Sequence, residues 1–370
     1  MKIKLKKKQV FLSAVNLLSL VGFAAFSLSG LSAAKSQSYN YAAERWMNGD
    51  KDMTYAQVSC FMSDSAGFTT DSLASVRASV ISSLKDVSIA PQDGQKLCPD
   101  AYSASLGQAE VRSDINGKSE SQITAVGGDF FLIHDFKLLD GAFFTDSDIM
   151  QDGAVIDKNL AWALYGSSDV SGMKMTINGI QYYIAGVIET PETDEEVKCA
   201  GELPLAYISY DGASGFSSGA YSEDSSGKFT TVNCYELLMP NPVENYSYKA
   251  VKTIMEGYGE NVSVVQNTDR YSAYKCLKAL KKISSIVVRD NQIAYPYWEN
   301  ASRMVQFRLS YVYLCSALCL IIPLITAIWL IIRAVKTLKR NRKKIFRAVS
   351  SKFKRIRANL KGKRNEGQKD

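Results

Sequence analysis

DGAVIDKNLAWALYGSSDVSGMKMTINGIQYYIAGVIE, Asp152 to Glu189, carries more local structural signal than any other part of this chain. Asp152 to Asp157 reads as a short strand, and Asp157 can cap a helix over Lys158 to Tyr165 that Gly166 closes. Met173, Met175 and Ile177 then alternate with Lys174 and Thr176 up to Asn178-Gly179. Beyond that pair Ile180, Tyr182 and Ile184 alternate with Gln181 and Tyr183. Asn-Gly between alternating runs predicts a hairpin on a type I′ turn, whose two central residues both need positive φ. Gly186-Val187-Ile188 prolongs the second strand, and the acidic run Glu189 to Glu196 reads as a solvated loop.

Outward from this stretch, strands and helices alternate. Tyr55 to Met62 reads as a strand, and Thr70-Asp71 can cap a helix with apolar positions Leu73, Val76, Val80, Ile81 and Leu84. Ala101 to Val111 returns as a strand. The order recurs further on: a strand over Val232 to Met239, a helix starting at Asn241-Pro242 with Val251, Ile254 and Met255 inside, and a strand over Val262 to Val265. Two strand–helix–strand units around a central stretch predict a split βαβ arrangement with an insertion, hence an α+β fold. The Gly-Ser-rich Asp211 to Gly227 reads as a mobile loop.

Charge is segregated along the 370 residues, whose net charge is +7. Five lysines, Lys2, Lys4, Lys6, Lys7 and Lys8, precede the uncharged apolar run Val10–Leu31, and Arg333 to Asp370 carries a net +14 after the apolar run Leu309–Ile332. The stretch between is net −12, with 23 basic and 35 acidic residues, which no uniformly basic nucleic-acid binder would show. Each apolar run, 22 and 24 residues long, can cross a hydrocarbon core as a helix. Basic flanks face the cytoplasm, so both termini are expected inside the plasma membrane and the central region outside. Ser32-Ala33-Ala34 resembles a cleavage site, but the first run exceeds the core of an ordinary signal peptide, and a retained anchor is expected.

The stretch Val126 to Glu189 places a Phe-Phe helix, the Leu138-x-x-Gly141-x-x-Phe144 turn, a Val-Ile strand, Ala163-Leu164-Tyr165-Gly166, a Val-x-Gly turn and a hairpin ending in Gly-Val in succession. In that order and spacing it resembles the MacB-like periplasmic core domain of FtsX-type ABC transporter permeases. The resemblance implies a porter-like βαβ pair with a small β-rich subdomain inserted, and a membrane helix before it. The expected organisation is a basic cytoplasmic N-terminus (1–9), a transmembrane helix (10–31), the first ectodomain half (40–125), the β-rich insertion (126–228), the second half (229–300), a second transmembrane helix (309–332) and a basic cytoplasmic tail (333–370). Ala142 and Met173 stand where the family commonly has Arg and Lys, and one apolar run follows the domain where the family has three. The resemblance implies a non-catalytic, permease-type component of an ABC transport or mechanotransmission system, whose partners are a separate ATPase subunit, further permease subunits and an extracytoplasmic protein. The alternative is an FtsX-like envelope scaffold that regulates a cell-wall hydrolase without transport.

The residues offer little catalytic chemistry. Gly117-Lys118-Ser119 lacks the earlier glycine of a phosphate-binding loop, since position 112 is arginine. Gly215-Phe216-Ser217-Ser218-Gly219 matches a nucleophile elbow in letters, but it sits in a Gly-Ser loop, and His134 precedes it, against the hydrolase order. His134, the single histidine, adjoins Asp135, and neighbours on one segment seldom face each other, so a structural or surface role is expected. Asp146, Asp148 and Asp152 miss the calcium-loop register. No metal, cofactor or nucleic acid is expected.

Cys60, Cys98, Cys199, Cys234 and Cys276 fall outside the membrane, where they can form at most two disulfides of undetermined pairing. In the tail, Leu338, Ile345, Val349, Phe353, Ile356 and Leu360 recur on one helical face. A basic amphipathic helix on the anionic inner leaflet is expected, with Lys339, Arg340, Arg342, Lys343, Lys344, Arg347, Lys352, Lys354, Arg355 and Arg357 as lipid contacts.

Overall fold

A computed structural model describes residues 7–47, 53–90, 96–216, 229–280, 289–290 and 293–366, with 289–290 and 341–366 described by backbone alone. The chain divides into two compact units, residues 1–29 with 312–370 and residues 30–311. Among the described residues two helices are long and apolar enough to cross a membrane, α1 (Lys7–Lys35) and the N-terminal two-thirds of α9 (Tyr297–Glu366). Pro323 lies inside α9 without ending it, as expected where neighbouring groups can take up the freed carbonyl.

Within the first unit the two helices pair antiparallel through small and polar residues. Thr326 Oγ1 donates to Asn16 Oδ1 at 2.7 Å, and Ser27 and Ser316 hydroxyls lie 2.9 Å apart. Between these contacts a Cβ on Gly22 would come 3.2 Å from Cys319 Sγ, so the glycine sets the close approach. Asn16, polar in an apolar run, is satisfied by Thr326 and by the Leu12 carbonyl. Phe11, Leu18, Leu28, Ile325 and Ile331 remain exposed, as lipid-facing side chains would.

The second unit is a mixed α+β body. Its elements run α2 (Ala42–Met47), β1 (Tyr55–Met62), α3 (Thr70–Asp86), β2 (Asp100–Ser113), β3 (Lys118–Gly128), α4 (Phe130–His134), β4 (Leu138–Gly141) and β5 (Gly153–Asp157). There follow α5 (Lys158–Tyr165), β6 (Lys174–Ile177), β7 (Ile180–Ile188), α6 (Asp194–Ala200), β8 (Leu205–Ser209), β9 (Cys234–Pro240), α7 (Tyr246–Met255), β10 (Val262–Gln266) and α8 (Ala273–Ala279). A small ladder, β11 (Arg289–Asp290) with β12 (Ile293–Ala294), precedes α9.

β1 to β10 form one sheet in the order β10-β1-β9-β2-β3-β8-β5-β7-β4, with β6 bonded to β2 and β7. The first four neighbours are antiparallel, while β8 joins β3 in parallel and extends the sheet into the central stretch. The strand period of two sorts residues onto two faces. Val58, Cys60 and Met62 of β1 and Tyr235, Leu237 and Met239 of β9 meet α3, α5 and α7 through Leu73, Val80, Leu160, Leu164, Val251 and Met255. Phe61, Cys234 and Leu238 face the other way, against Ala42, Ala43, Phe130, Ile133, Tyr295 and Trp298.

The hairpin forms as its sequence predicts. Asn178 and Gly179 take φ of 49° and 86° between β6 and β7. Two local expectations are corrected. The helix expected from Asn241-Pro242 begins at Tyr246, after Asn245 turns through the left-handed region. The last three residues of the acidic loop open α6, because Thr193 and Glu196 close a capping box and Asp194, Glu195 and Glu196 favour a helix N-terminus. The β2–β3 hairpin was not anticipated at all. The Gly-Ser loop lies largely outside the described residues.

Asp157 caps α5 as expected, accepting from Leu160 N at 2.8 Å, and its second oxygen accepts from Leu205 N at 3.0 Å. Burial nonetheless lifts its pKa to about 6 against the pull of those N–H groups. A carboxyl raised in the folded state favours folding fully below its unfolded pKa, and that contribution is lost as pH rises through the folded value. We expect a stability loss of about 2 kcal/mol between pH 4 and 7 from this group. Asp157→Asn should remove that pH-dependent component, at a pH-independent cost for the Leu205 N–H. Thermal denaturation against pH checks this: an unchanged slope in the variant would refute the assignment.

Candidate functional site

Two strands with polar residues at period two build the site. Gln57 and Ser59 on β1 point to the same face as Phe61, and Glu236 on β9 stands directly opposite Ser59 in the ladder. All three polar side chains are buried in the middle of the sheet, with Glu236 at 1% exposure. An unpaired carboxylate there would be untenable, so what surrounds it defines the site.

Glu236 Oε1 accepts from the hydroxyls of Tyr39 and, at 3.2 Å, Ser59, and Oε2 meets His134 Nε2 at 2.7 Å. His134 is clamped between rings: Phe130 stacks at 4.0 Å, Tyr39 at 4.9 Å, and Trp298 meets it edge-on at 4.7 Å. Burial first, then the Glu236 charge, push the Tyr39 phenol well above its ordinary pKa, so it stays a donor.

From Ser59 the network continues to Asn267 Oδ1 at 3.2 Å and from Asn267 to Asn40 Oδ1 at 3.3 Å. Asn40 Nδ2 in turn reaches Tyr271 Oη at 3.0 Å and Ser302 Oγ on α9 at 2.8 Å. Alongside lies a buried ion cluster. Arg270 grips both oxygens of Glu299 at 2.7 and 2.9 Å, and Arg303 Nε reaches Glu299 at 2.7 Å. Burial alone would lower the Arg270 pKa, and the Glu299 carboxylate more than reverses it. Gln57 completes the frame, donating to the Tyr39 carbonyl at 3.0 Å and accepting from Ala42 N at 3.2 Å.

The hub therefore joins the sheet centre to two chain segments: residues 39–42, which follow α1, and residues 299–306, in the stretch of α9 before its apolar run. Chemically it is a positioning device. The hydroxyls beside the His–Glu pair, Tyr39 and Ser59, donate to the Glu236 carboxylate, and among the described residues no cluster of three or more His, Cys, Asp or Glu could hold a metal ion.

The sequence candidates scatter. His134 is buried, as a structural histidine should be, while Asp135 turns through φ 54° and faces Arg45 at 3.6 Å. Asp146 accepts from Gly128 N at 2.8 Å, and Asp148 closes its own turn on Thr145. Glu189 pairs with Lys158 at 3.4 Å, Glu192 with Lys137 at 3.6 Å, and Glu195 with Arg308 at 2.5 Å. Cys60, Cys98, Cys199, Cys234 and Cys276 all carry free thiols, and Cys60 and Cys234, neighbours across the β1–β9 pair, face opposite sides of the sheet. Of the tail residues, Lys339 and Arg340 lie on α9, and the side chains of Arg342 onward fall outside the described residues. The hub itself went unrecognised in the sequence, although Gln57 and Ser59 break the apolar pattern of an otherwise buried strand.

The family model of the MacB-like periplasmic core domain matches residues 22–234. The chain belongs to the family of proteins carrying that domain, and its two apolar helices at either end of it fit a two-pass membrane protein. Among solved structures it is similar to the periplasmic region of MacB from Actinobacillus actinomycetemcomitans, at 13% identity, covering 62% of this chain and 92% of that one, with a TM-score of 0.38. It is also similar to the extracellular domain of the noncanonic ABC-type transporter YknZ from Gram-positive bacteria, at 15% identity, covering 56% and 99%, with a TM-score of 0.38. A comparison with curated protein sequences finds no match.

Proposed function

We propose that this chain is a non-catalytic, permease-type component of an ABC transport or mechanotransmission system, driven by an ATPase on a separate subunit. Both termini lie in the cytoplasm and residues 30–311 lie outside. The strand order β10-β1-β9-β2, with α3 and α7 on one face, supports reading residues 40–125 and 229–300 as halves of a porter-like split βαβ domain, with 126–228 inserted. The observation that carries the function is the hub: one buried network holds the segment after the first apolar helix, the sheet, and the segment before the second. Such a joint fixes both chain segments to the centre of the sheet. The family membership points to the same class of machine.

Isolation of the tagged chain from its native membranes in a mild detergent should recover a nucleotide-hydrolysing subunit in fixed ratio. Recovery of the chain alone, or with a cell-wall hydrolase and no ATPase, would sink the transport reading, and the second result would establish the envelope-regulator alternative. For orientation, in a cysteine-free background, a cysteine at Ser217 should react with an impermeant reagent on intact cells and one at Ser350 should not. The reverse pattern overturns the topology.

A further inference from the structure

A second cavity lies beside the polar hub, on the same face of the sheet, with a volume of about 230 Å³. Its floor is made by β2 and β3, where the character of the face changes. Ala101 and Val126 are apolar and covered by helices, but the next same-face positions are Ser103 and Ser105 on β2 and Thr124 and Gln122 on β3. Ser105 and Thr124 are direct cross-strand partners, and Gln122 Nε2 donates to Ser105 Oγ at 3.1 Å. The opposite wall is aromatic, from Tyr295, Tyr297 and Trp298. Among the described residues no carboxylate, amine, guanidinium or imidazole lines this cavity. The neighbouring cavity of about 180 Å³ contrasts with it, being rimmed by Asp135, Lys137, Glu189, Glu192 and Glu196.

Trp298 is 5% exposed and stands between this cavity and the His134 ring, which it meets edge-on at 4.7 Å, so its signal reports on the occupancy of the cavity.

We infer that this cavity binds a neutral hydroxylated ring, a single sugar residue being the fitting size and chemistry. A dry cavity of about 150 Å³ holds benzene, so 230 Å³ accommodates one six-membered ring with its hydroxyl groups. Flat aromatic faces suit the C–H side of such a ring, and hydroxyls and amides, each donor and acceptor, suit its edge. A charged sugar finds no counter-ion and loses its hydration. The inference rests on the cavity and stands whether or not the permease reading does.

The test uses the full chain in lipid nanodiscs free of glycoside detergent, labelled with 5-fluorotryptophan, since the sequence has only 4 tryptophans to resolve by fluorine NMR. Trp298→Phe assigns the signal. N-acetylglucosamine and methyl glucoside serve as neutral probes, glucuronate and glucosamine as charged ones. At least one neutral probe should shift the Trp298 signal saturably, with affinity about tenfold or more above either charged probe. Thr124→Val, nearly isosteric, should weaken binding about tenfold, or about 1.4 kcal/mol, and Ser105→Ala gives a second reading of the floor should that variant fold poorly. No saturable shift with either neutral probe, equal affinity for charged sugars, or full affinity in both floor variants would each overturn the inference. Added disaccharide distinguishes a free sugar from the end of a longer glycan: either result keeps the site, and stronger binding assigns it to the glycan.

Discussion

Glu299→Leu should destabilise the ectodomain by about 3–5 kcal/mol. Glu299 is fully buried and is the shared acceptor of two guanidiniums, Arg270 at 4% side-chain exposure and Arg303 at 12%. Removing it leaves both cations in a low-dielectric site, Arg270 held otherwise only by Gln306 at 3.2 Å. Arg303 keeps its stack over Tyr295, 3.5 Å from the ring centroid, which offsets little of a buried charge. Replacing all three, Arg270→Met, Glu299→Leu and Arg303→Met, should recover most of the loss, because a buried ion cluster is often worth no more than apolar packing of similar volume. Hydrogen exchange at the β1 and β9 amides is the appropriate measure, since it isolates the ectodomain from the membrane helices. A change below about 1 kcal/mol in the single variant would show that the cluster is solvated in solution.

The second large effect is expected at Gly141, the glycine of the Leu138-x-x-Gly141-x-x-Phe144 turn. Its φ is +73°, and a Cβ would stand 2.2 Å from the Ala185 carbonyl oxygen and 2.9 Å from Ser171 Cβ. The left-handed backbone alone costs an alanine about 1–2 kcal/mol, and here the obstacle is backbone that cannot rotate away. The β4–β7 pair, which brings Gly141 opposite Gly186, would have to part. Gly141→Ala should therefore lose about 3 kcal/mol or more. Gly166 is the control, with φ +69° and nothing within 4 Å of an added Cβ. Gly166→Ala should lose only about 1 kcal/mol. Equal losses at both positions, read by thermal denaturation, would rule out the steric account.

The acidic run after β7 shows how a correct observation of charge can be misread. Its glutamates read as a solvated loop, yet Thr193 and Glu196 have the spacing of a capping box, and carboxylates in a first turn complement the helix dipole. The β2–β3 hairpin escaped for a related reason. Asn116-Gly117 stands at its turn, but the flanking Arg112, Ser113, Lys118, Ser119 and Glu120 are polar and show no alternation. Those ends of the strands leave the core, where periodicity has nothing to report.

What the sequence determined by itself is local or statistical. The two membrane-length helices follow from uncharged runs, β1 and α3 from their periods, α5 from Asp157 and Gly166, and the β6–β7 hairpin from Asn178-Gly179. Each depends on residues within one or two turns of one another. Tertiary structure alone decided the strand order, the continuation of the sheet from β3 into β8, and the hub. Tyr39 and Glu236 are 197 positions apart, and Asn40 and Ser302 are 262 apart. A buried tyrosine, histidine or glutamate carries no mark of its partner in its own neighbourhood. The partner is chosen only when the sheet closes, because only then is water withdrawn and an unpaired polar group made costly.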